Sequence, residues 1–391
     1  MDAFQKDDEV PLSMKAGRTS ILGFYGLGNF GDDLMGWMIA KQISTLGRSS
    51  VLFDLSDQSP SSLNGNDFTS HRIDSSRSLD QIVETSENVI FGGGGVLVAH
   101  AHKKLRRFSR YLHKMDLFLQ AVQKKNKPLA LLSIGGDGGE TFDELSPMTR
   151  RALSAATLIT TRNTSDSRLL MPKRVDSHCY PDIVWAATQL MPGTWQSTAF
   201  KPKEHAQDRP LRIGIDLYLA PLMEQGIVAA LEFLTFLRTQ MRKTRSMEWI
   251  VLNSKHVNGG AFSLLKHFLS GRFGQYYQFH SFESDFQALS SLDLLVSSRL
   301  HVPIVALQLG VPTISAFSEG KTKIFFQSHG LSNYYFGPDR RRELQVLLAD
   351  PCALRDWLLS YQFPNVMSLQ AGSLMHFQKM QEFLERNTQS S

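Results

Sequence analysis

Short apolar runs that end in glycine or a small polar residue alternate along this chain with longer segments of helical periodicity. That alternation is typical of a parallel sheet covered by helices, so it predicts an α/β fold. In the first half, the predicted strands are Thr19–Tyr25, Val51–Leu55, Val89–Phe91, Leu129–Ile134, Leu158–Thr161 and Ser177–Tyr180. In the second half they are Arg212–Asp216, Glu248–Asn253, Tyr277–His280, Leu294–Ser297 and Pro312–Ala316, followed by a helix over about Met367–Asn387.

Between the two halves, residues 191–210 contain several prolines and scattered polar residues, a pattern that indicates a linker. We therefore expect two Rossmann-like domains that face a cleft, over residues 19–190 and 211–391, with the C-terminal helix in the second. Residues 1–18 carry several acids and lack the apolar core of a secretory signal, so we expect a disordered lead-in. No segment has the roughly 18–20 uninterrupted apolar residues of a membrane span, which predicts at most peripheral membrane contact.

Composition narrows the class of protein. The length of 391 residues fits two domains, and 42% hydrophobic with 20% charged residues excludes a disordered chain. A net charge of +5 over this length gives no bulk signal for nucleic-acid binding. Cys179 and Cys352 lie far apart without C-x-x-C spacing, which excludes a disulfide scaffold and a cysteine zinc site. We expect a reducing compartment.

The segment from Gly26 to Gly31 follows the first predicted strand and matches G-x-G-x-x-G, with Asp54 at the end of the next strand. This is the dinucleotide-binding fingerprint. However, Asp32 and Asp33 directly follow the last glycine and place two negative charges where the helix N-terminus would receive the pyrophosphate. Beside dinucleotide binding, two alternatives remain open: the acids only cap the helix, or an exposed Asp32 accepts a proton or binds a sugar hydroxyl.

Two more glycine-rich segments, Gly92–Gly95 and Gly135–Gly136, also follow predicted strands. Glycines leave backbone N–H groups open to an anion and let a ligand approach closely, although they also serve plain turns. Ligands in open α/β sheets bind at the carboxyl ends of the strands. Three glycine segments at such ends therefore predict a binding site along one edge.

Cations follow two other predicted strands. Arg162 comes directly after Leu158–Thr161, where it is either an anion ligand or half of a surface salt bridge. Lys321, preceded by Glu319, follows Pro312–Ala316 and offers a second cation and a carboxylate at the same edge. A basic stretch at 103–110 predicts either a solvated helix face or contact with an anionic membrane or glycan.

The most informative segment leaves the predicted strand Leu294–Ser297. Pro303 favours an extended backbone before a helix, so Arg299 and His301 are expected to point together toward the cleft. The same geometry directs Leu300 into the core. An arginine beside a histidine is an anion clamp beside a titratable proton carrier, although a single histidine is more often structural.

Taken in order, these motifs resemble the polysaccharide pyruvyltransferase family over about residues 21–331. The resemblance rests on the run G-x-x-G-x-G-N-x-G-D-D from Gly23 to Asp33, the glycines after Val89–Phe91, and a C-terminal block that is its most specific part. The other residues that carry it are Arg162, Pro181-Asp182, Arg299-Leu300-His301, Ala306, Gly310-Val311-Pro312 and Lys321. The fold that this resemblance implies is similar to glycosyltransferase type B, with the donor bound in the cleft between two Rossmann-like domains.

By the same resemblance, the reaction moves the pyruvyl group of phosphoenolpyruvate onto a sugar diol of a glycan or lipid-linked saccharide. It forms a cyclic pyruvate ketal and releases phosphate. The resemblance implies a cytoplasmic enzyme of exopolysaccharide and cell-envelope biosynthesis, at most in contact with the inner face of the membrane. Phosphoenolpyruvate is then a co-substrate, and we expect no cofactor, no metal and no nucleic-acid partner.

The chemistry of this donor assigns roles to the residues. Phosphoenolpyruvate carries a phosphate and a carboxylate, so we expect Arg299 and Arg162 to bind it, with Leu300 and Lys321 beside them. We expect the His301 imidazolium to protonate the methylene carbon, and Asp32 to orient or deprotonate the acceptor hydroxyl from the opposite domain. The predicted acceptor or phosphate contacts are Asn29, Gly31, Gly93, Gly94, Gly95, Gly135, Gly136 and Glu319.

Three other functions use the same features. A type B glycosyltransferase with a nucleotide-sugar donor would share the fold, and a dinucleotide-dependent oxidoreductase would share the first glycine motif. A non-catalytic glycan- or anion-binding relative would bind phosphoenolpyruvate without releasing phosphate.

Overall fold

A computed structural model of the chain describes residues 18–54, 69–72, 76–97, 105–136, 141–171, 177–191, 209–218, 227–243, 246–254, 275–318 and 320–388. The predicted lead-in at 1–18, apart from Arg18, lies outside the described residues. So do the predicted linker at 191–210, apart from residues 191, 209 and 210, and the residue Glu319. The side chains of the basic stretch at 103–110 also lie outside the described part of the chain.

The first half forms a sheet of parallel strands. Its described strands are β1 (Thr19–Leu22), β2 (Ser50–Asp54), β3 (Thr69–Arg72), β4 (Asn88–Leu97), β5 (Leu129–Gly136), β6 (Ala156–Thr161) and β7 (His178–Cys179). Their order across the sheet is β3-β2-β1-β4-β5-β6-β7.

The second half repeats this arrangement, again with parallel pairings. Its described strands are β8 (Leu211–Asp216), β9 (Met247–Asn253), β10 (Gln275–Gln278), β11 (Leu294–Ser297), β12 (Thr313–Ala316) and β13 (Tyr335–Phe336). Their order is β10-β9-β8-β11-β12-β13.

Helices occupy the connections between strands, as the periodicity predicts. In the first half the described α-helices are α1 (Phe30–Thr45), α2 (Ser76–Thr85), α3 (Leu105–Lys124), α4 (Pro147–Ala155), α5 (Thr164–Leu170) and α6 (Ala187–Leu190). In the second half they are α7 (Ile227–Lys243), α8 (Phe282–Ser290), α9 (His301–Gln308), α10 (Lys321–Ser328), α11 (Arg341–Ala349), α12 (Pro351–Leu359) and α13 (Val366–Thr388). Single 3₁₀ turns lie at Phe142–Glu144, Ile183–Ala186, Ser332–Tyr334 and Pro338–Arg340.

Each sheet reverses its strand order at one point, where β1 lies beside β4 in the first and β8 beside β11 in the second. In doubly wound sheets, ligands bind outside the carboxyl ends of the strands at this switch point. The segments that follow β1, β4, β8 and β11 are therefore where the fold itself predicts a ligand. Three of the sequence motifs lie at this edge: the turn after β1, the glycines in the second half of β4, and Arg299 with His301 after β11.

One hydrophobic core joins the two halves. Phe30, at the start of α1, has its ring centroid 5.0 Å from that of Phe279 and 6.0 Å from that of Phe282. Helix α13 comes after the second sheet but packs on the first half, where Ser373 Oγ donates a 2.9 Å hydrogen bond to the Ile183 carbonyl. The sequence places α13 in the second domain, but the helix packs against β5 and β6 of the first sheet. Its buried side chains belong to the core that both halves share.

The structure differs from the sequence prediction at two edge strands and at the glycines. Strand β3 is wholly polar and β13 has two residues, so neither shows an apolar run. Gly92–Gly95, predicted as a loop, lie inside β4, where the pairing with β5 shifts register between Gly94 and Leu97. Among the described residues, none of the helices combines the length and apolar character needed to cross a membrane.

Candidate functional site

A buried aspartate closes the turn between β1 and α1. Gly26 and Gly28 have φ angles of 77° and 68°, which residues with side chains rarely adopt. The fully buried Asp33 carboxylate accepts a 2.7 Å hydrogen bond from the Gly26 N–H, which argues against a pyrophosphate on that amide. Asp32 is half-buried and accepts a hydrogen bond from Asn29 Nδ2. Asp33 therefore stabilises the turn, and Asp32 is the more exposed of the two acids.

The glycines of β4 bring the backbone close to Asp32. Gly93 and Gly94 have φ angles of 70° and 91°. A Cβ on Gly94 would lie 3.0 Å from Asp32 Oδ1, and one on Gly93 would lie 2.8 Å from Met35. A Cβ on Gly95 would meet no atom within 4 Å. The glycine segment thus forms a wall beside Asp32, with open space at Gly95.

Arg299 reaches from the second half to the first. Its Nη1 donates a 3.1 Å hydrogen bond to Asn29 Oδ1, and its Nε lies 3.9 Å from Asp216 Oδ1. The guanidinium also lies over the Tyr218 ring, with Cζ 5.3 Å from the centroid. The side chain keeps 17% of its surface exposed, so Arg299 is held in place and still open to solvent.

Asp216 holds Arg299 from the interior. It is buried at the end of β8, where its carboxylate accepts hydrogen bonds of 2.8 Å from Ser254 Oγ and 3.0 Å from Ser297 Oγ. Burial raises the pKa of this carboxyl, and the nearby Arg299 and the two serines only partly oppose that effect. The end of β8 therefore contributes a carboxylate that orients the arginine.

His301 is the first residue of α9, and its imidazole packs against the start of α1. The side chain is 6% exposed, and its Nε2 lies 3.6 Å from Asp182 Oδ2. On the other side of the ring, a Cβ on Gly31 would lie 1.9 Å from Nδ1. The imidazole therefore lies between Gly31, in the first turn of α1, and the Asp182 carboxylate.

Asp182 connects His301 to Arg162. It precedes the 3₁₀ turn Ile183–Ala186, and its Oδ1 accepts a 3.0 Å hydrogen bond from the Val184 N–H. Its Oδ2 lies 3.8 Å from Arg162 Nη1. Burial would raise the pKa of Asp182, but the close approach and charge of His301, the charge of Arg162 and the Val184 amide hold it well below the usual range. The carboxylate is therefore charged in the folded protein.

Arg162 is buried rather than exposed, with 2% of its side chain accessible. Its Nη2 donates a 3.1 Å hydrogen bond to the Gly136 carbonyl, and its Nε lies 3.9 Å from Asp166 Oδ2. A Cβ on Gly135 would lie 2.1 Å from Nε, and the Gly136 N–H donates to Asp166 Oδ1 at 2.9 Å. Gly135, which the sequence predicts as a ligand contact together with Gly136, makes room for Arg162, and the Gly136 carbonyl binds it.

The remaining predicted residues lie around the same edge. Leu300, predicted as a donor contact, is 5% exposed and belongs to the core. Because α9 begins at His301, the backbone there is helical rather than extended; Pro303 fits the first turn, where its missing N–H costs no hydrogen bond. Lys321 is half-buried and begins α10, which follows β12. Glu319 lies outside the described residues.

The site residues form one polar assembly across both switch points. It combines a partly exposed arginine, a buried imidazole with a charged partner, and a second carboxylate beside an open glycine. Such a set can bind a small anion and transfer a proton. Among the residues that the structure describes, no three His, Cys, Asp or Glu side chains are grouped to hold a metal.

Asp182 and Asp216 are the site residues that sequence reasoning did not select. Asp216 ends a predicted strand, and Asp182 belongs to the Pro181-Asp182 pair of the resemblance. The signal that could have identified these two aspartates is chemical, because a cation that is buried in a site needs a carboxylate partner. The chain separation between Asp182 and His301 concealed which acid serves which cation.

Solved structures with a similar fold include two epimerases and a glycosyltransferase. The UDP-GlcNAc 2-epimerase from Neisseria meningitidis bound to UDP-GlcNAc is 10% identical, with a TM-score of 0.57 over 94% of this chain and 100% of that one. The UDP-N-acetylglucosamine 2-epimerase from Rickettsia bellii is 10% identical, with a TM-score of 0.58 over 95% and 96%. A UDP-glucosyltransferase from Polygonum tinctorium is 10% identical, with a TM-score of 0.54 over 95% and 100%. These likenesses show the fold, two Rossmann-like domains similar to glycosyltransferase type B.

Sequence comparison is more specific. No match was found among curated proteins. The family model for polysaccharide pyruvyl transferase, however, matches residues 29–319, a stretch that includes Asn29, Arg162, Asp182, Arg299 and His301. This match covers well over half of the chain and agrees with the resemblance that the motifs carry. The chain therefore belongs to the polysaccharide pyruvyl transferase family.

Proposed function

We propose that the protein transfers the pyruvyl group of phosphoenolpyruvate to two hydroxyls of a glycan or lipid-linked saccharide, forming a cyclic ketal and releasing phosphate. Family membership supports pyruvyl transfer. The observation that carries the finer proposal is the buried pair of His301 and the charged Asp182. His301 lies two residues after Arg299, whose side chain is partly exposed. A proton carrier beside an anion clamp is what this donor requires.

Arg299 is the donor contact that the geometry favours. It retains 17% of its surface, whereas Arg162 retains 2% and is already paired with the carboxylates of Asp166 and Asp182. We therefore assign Arg162 a supporting role inside the site, in place of the donor contact expected from sequence. Lys321, at the same sheet edge, is the second cation that we propose for the phosphate and carboxylate.

The reaction begins when the His301 imidazolium gives a proton to the methylene carbon, which leaves an oxocarbenium-like centre at the adjacent carbon. A first acceptor hydroxyl attacks that carbon and gives its proton to Asp32. The carbon–oxygen bond to phosphate then breaks, and a second hydroxyl closes the ring while its proton leaves with phosphate. His301 regains its proton as Asp32 loses one to solvent, so the cycle balances.

We assign Asp32 to the acceptor because it lies on the opposite half from Arg299 and beside Gly94, one residue from the open space at Gly95. Asn29 connects the two sides, since its amide donates to Asp32 and accepts from Arg299. The imidazole rests on Gly31 in this conformation, so a donor reaches Nδ1 when that contact opens. The Asn29 amide thus connects Asp32, the proposed acceptor acid, to Arg299, the proposed donor cation.

The test is incubation with phosphoenolpyruvate and a panel of diol-containing glycans, measuring phosphate release and the mass gain of a pyruvyl group. The parent protein should release phosphate only when an acceptor is present. His301→Asn should reduce turnover by roughly 10²–10⁴-fold, the usual loss for a general acid. His113→Asn, which changes an exposed histidine on α3, is the matched control.

Thermal unfolding with each ligand separates the alternatives. A donor that binds only the folded state raises the unfolding midpoint by mass action, so phosphoenolpyruvate should raise it and nucleotide-sugars should not. A larger rise with a nucleotide-sugar, together with sugar transfer, would assign the protein to the glycosyltransferases. A rise with phosphoenolpyruvate and no phosphate release with any acceptor would indicate a binding protein.

A further inference from the structure

We propose that Asp182 is a positioning residue of the site, which holds the His301 imidazole by Nε2 so that Nδ1 is the atom that transfers the proton. The inference rests on the proposed function, in which His301 is the general acid. Asp182 belongs to the first half and His301 to the second, so this pair also crosses between them. The carboxylate touches neither donor nor acceptor and acts through the histidine.

Three buried polar atoms converge at this point. Arg162 Nη1 and His301 Nε2 lie 3.8 Å and 3.6 Å from Asp182 Oδ2, and none of the three makes a hydrogen bond to another protein atom. Buried polar atoms are costly without partners, and these distances are within ion-pair range. A shift of under an ångström would turn each contact into a charge-assisted hydrogen bond. The charges and the burial therefore both favour the pairing.

The position of Asp182 is fixed independently of His301. Its Oδ1 accepts from the Val184 N–H at 3.0 Å, and the next turn of chain is buried from Ile183 to Ala187. Pro181 is tied to α13, because its carbonyl accepts from His376 Nε2 at 2.9 Å. The carboxylate is thus a rigid reference against which the imidazole is oriented.

The other charged groups near this pair do not replace it. Asp166, on α5, lies 3.9 Å from Arg162 Nε, whereas Asp182 lies near Nη1 of the same guanidinium. His329 and His376 also face Asp182, but burial lowers the pKa of His329 below its ordinary value and that of His376 to about 4. Both are therefore neutral near pH 7. His301 and Arg162 remain the groups that lie within ion-pair distance of Asp182 Oδ2.

The experiment compares Asp182→Asn with Asp166→Asn. Both substitutions remove a buried carboxylate from Arg162, but only the first removes one from His301. Asparagine keeps an oxygen for the Val184 amide, so the local turn is retained. Should Asp182→Asn fail to fold by thermal unfolding, Asp182→Glu is used, because it keeps the charge and displaces it by one methylene.

Histidine NMR gives a readout that needs no activity. With the signals assigned by His301→Asn, we expect the Nε2 proton of His301 to resonate further upfield in Asp182→Asn, because a hydrogen bond to a carboxylate is stronger than one to an amide oxygen. Asp166→Asn should leave that resonance in place. An equal Nε2 proton shift in the parent and Asp182→Asn would overturn the proposal even if transfer is observed.

Kinetics give the second readout. Asp182→Asn should lower kcat by roughly 10–10³-fold with the KM for phosphoenolpyruvate changed by less than about threefold. Added to His301→Asn, it should lower kcat no further, because it acts through that histidine. A kcat equal to that of Asp166→Asn, or losses that multiply in the double variant, would overturn it. A parent protein without transfer activity would instead refute the proposed function, and the NMR result would still decide the pairing.

Discussion

His376 makes the stability of this fold sensitive to acid. It lies fully buried on α13, where its Nε2–H donates a 2.9 Å hydrogen bond to the Pro181 carbonyl and its Nδ1 accepts from Thr160 Oγ at 2.7 Å. A carbonyl can only accept, so these contacts hold the neutral tautomer with its proton on Nε2. Burial lowers the pKa of His376 from 6.5 to about 4.

The size of the effect follows from this difference. The unfolded chain takes up a proton at this histidine near pH 6.5, and the folded chain only near about pH 4. Between these values the unfolded state binds more protons, so stability is complete above about pH 6.5 and falls as the pH is lowered toward 4. Linkage gives a loss of about 2 kcal/mol at pH 5 and about 3 kcal/mol at pH 4.

Urea unfolding of the parent and of His376→Gln, monitored by tryptophan fluorescence, measures this pH-dependent loss of stability. Between about pH 7.5 and about pH 5, the difference in unfolding free energy should move by about 2 kcal/mol in favour of the variant, which has no imidazole to charge. Other titrating groups are common to both chains and cancel in the comparison. His113→Asn, at an exposed position, should show no such movement. A difference that stays constant with pH would refute a buried neutral His376.

Two substitutions test the contact between the halves. Arg299→Lys should raise the KM for phosphoenolpyruvate by roughly ten- to a hundredfold in steady-state assays, because lysine loses the planar fork and charge-assisted hydrogen bonds worth about 1.5–3 kcal/mol. An unchanged KM would remove Arg299 as the anion clamp. Gly31→Ala should cost about 1–3 kcal/mol in urea unfolding, since its Cβ would lie 1.9 Å from His301 Nδ1. Gly95→Ala, whose Cβ meets no atom within 4 Å, should keep the unfolding midpoint, and equal losses would contradict the geometry.

Much of the architecture could be predicted from the sequence because central parallel strands are continuous apolar runs. Leu294–Ser297 was predicted with its observed bounds, whereas the wholly polar Thr69–Arg72 was missed at a sheet edge. The glycines of β4 were predicted as a loop because positive φ angles favour turns, yet Gly93 and Gly94 adopt them inside a strand. Sequence rules for turns thus fail at Gly93 and Gly94, where the strand passes close to Met35 and Asp32 of α1.

The site shows the same division. The position of Arg299 and His301 at a strand end follows from local sequence, and both contact residues of the first half. Which carboxylate serves which cation depends on contacts between distant segments, and that is why Asp182 was not selected. The burial of Arg162 was missed for the same reason, because Gly135 admits it only through a tertiary contact.

The central claim is that His301 delivers the proton that converts the donor methylene carbon into the ketal methyl group. The most direct measurement is transfer carried out in deuterated water, with the ketal methyl group of the product read by mass spectrometry and NMR. Proton delivery by His301 predicts at least one solvent deuterium in that methyl group and inorganic phosphate released with each ketal formed. A His301→Asn variant that forms the deuterated ketal at the parent's rate would contradict it.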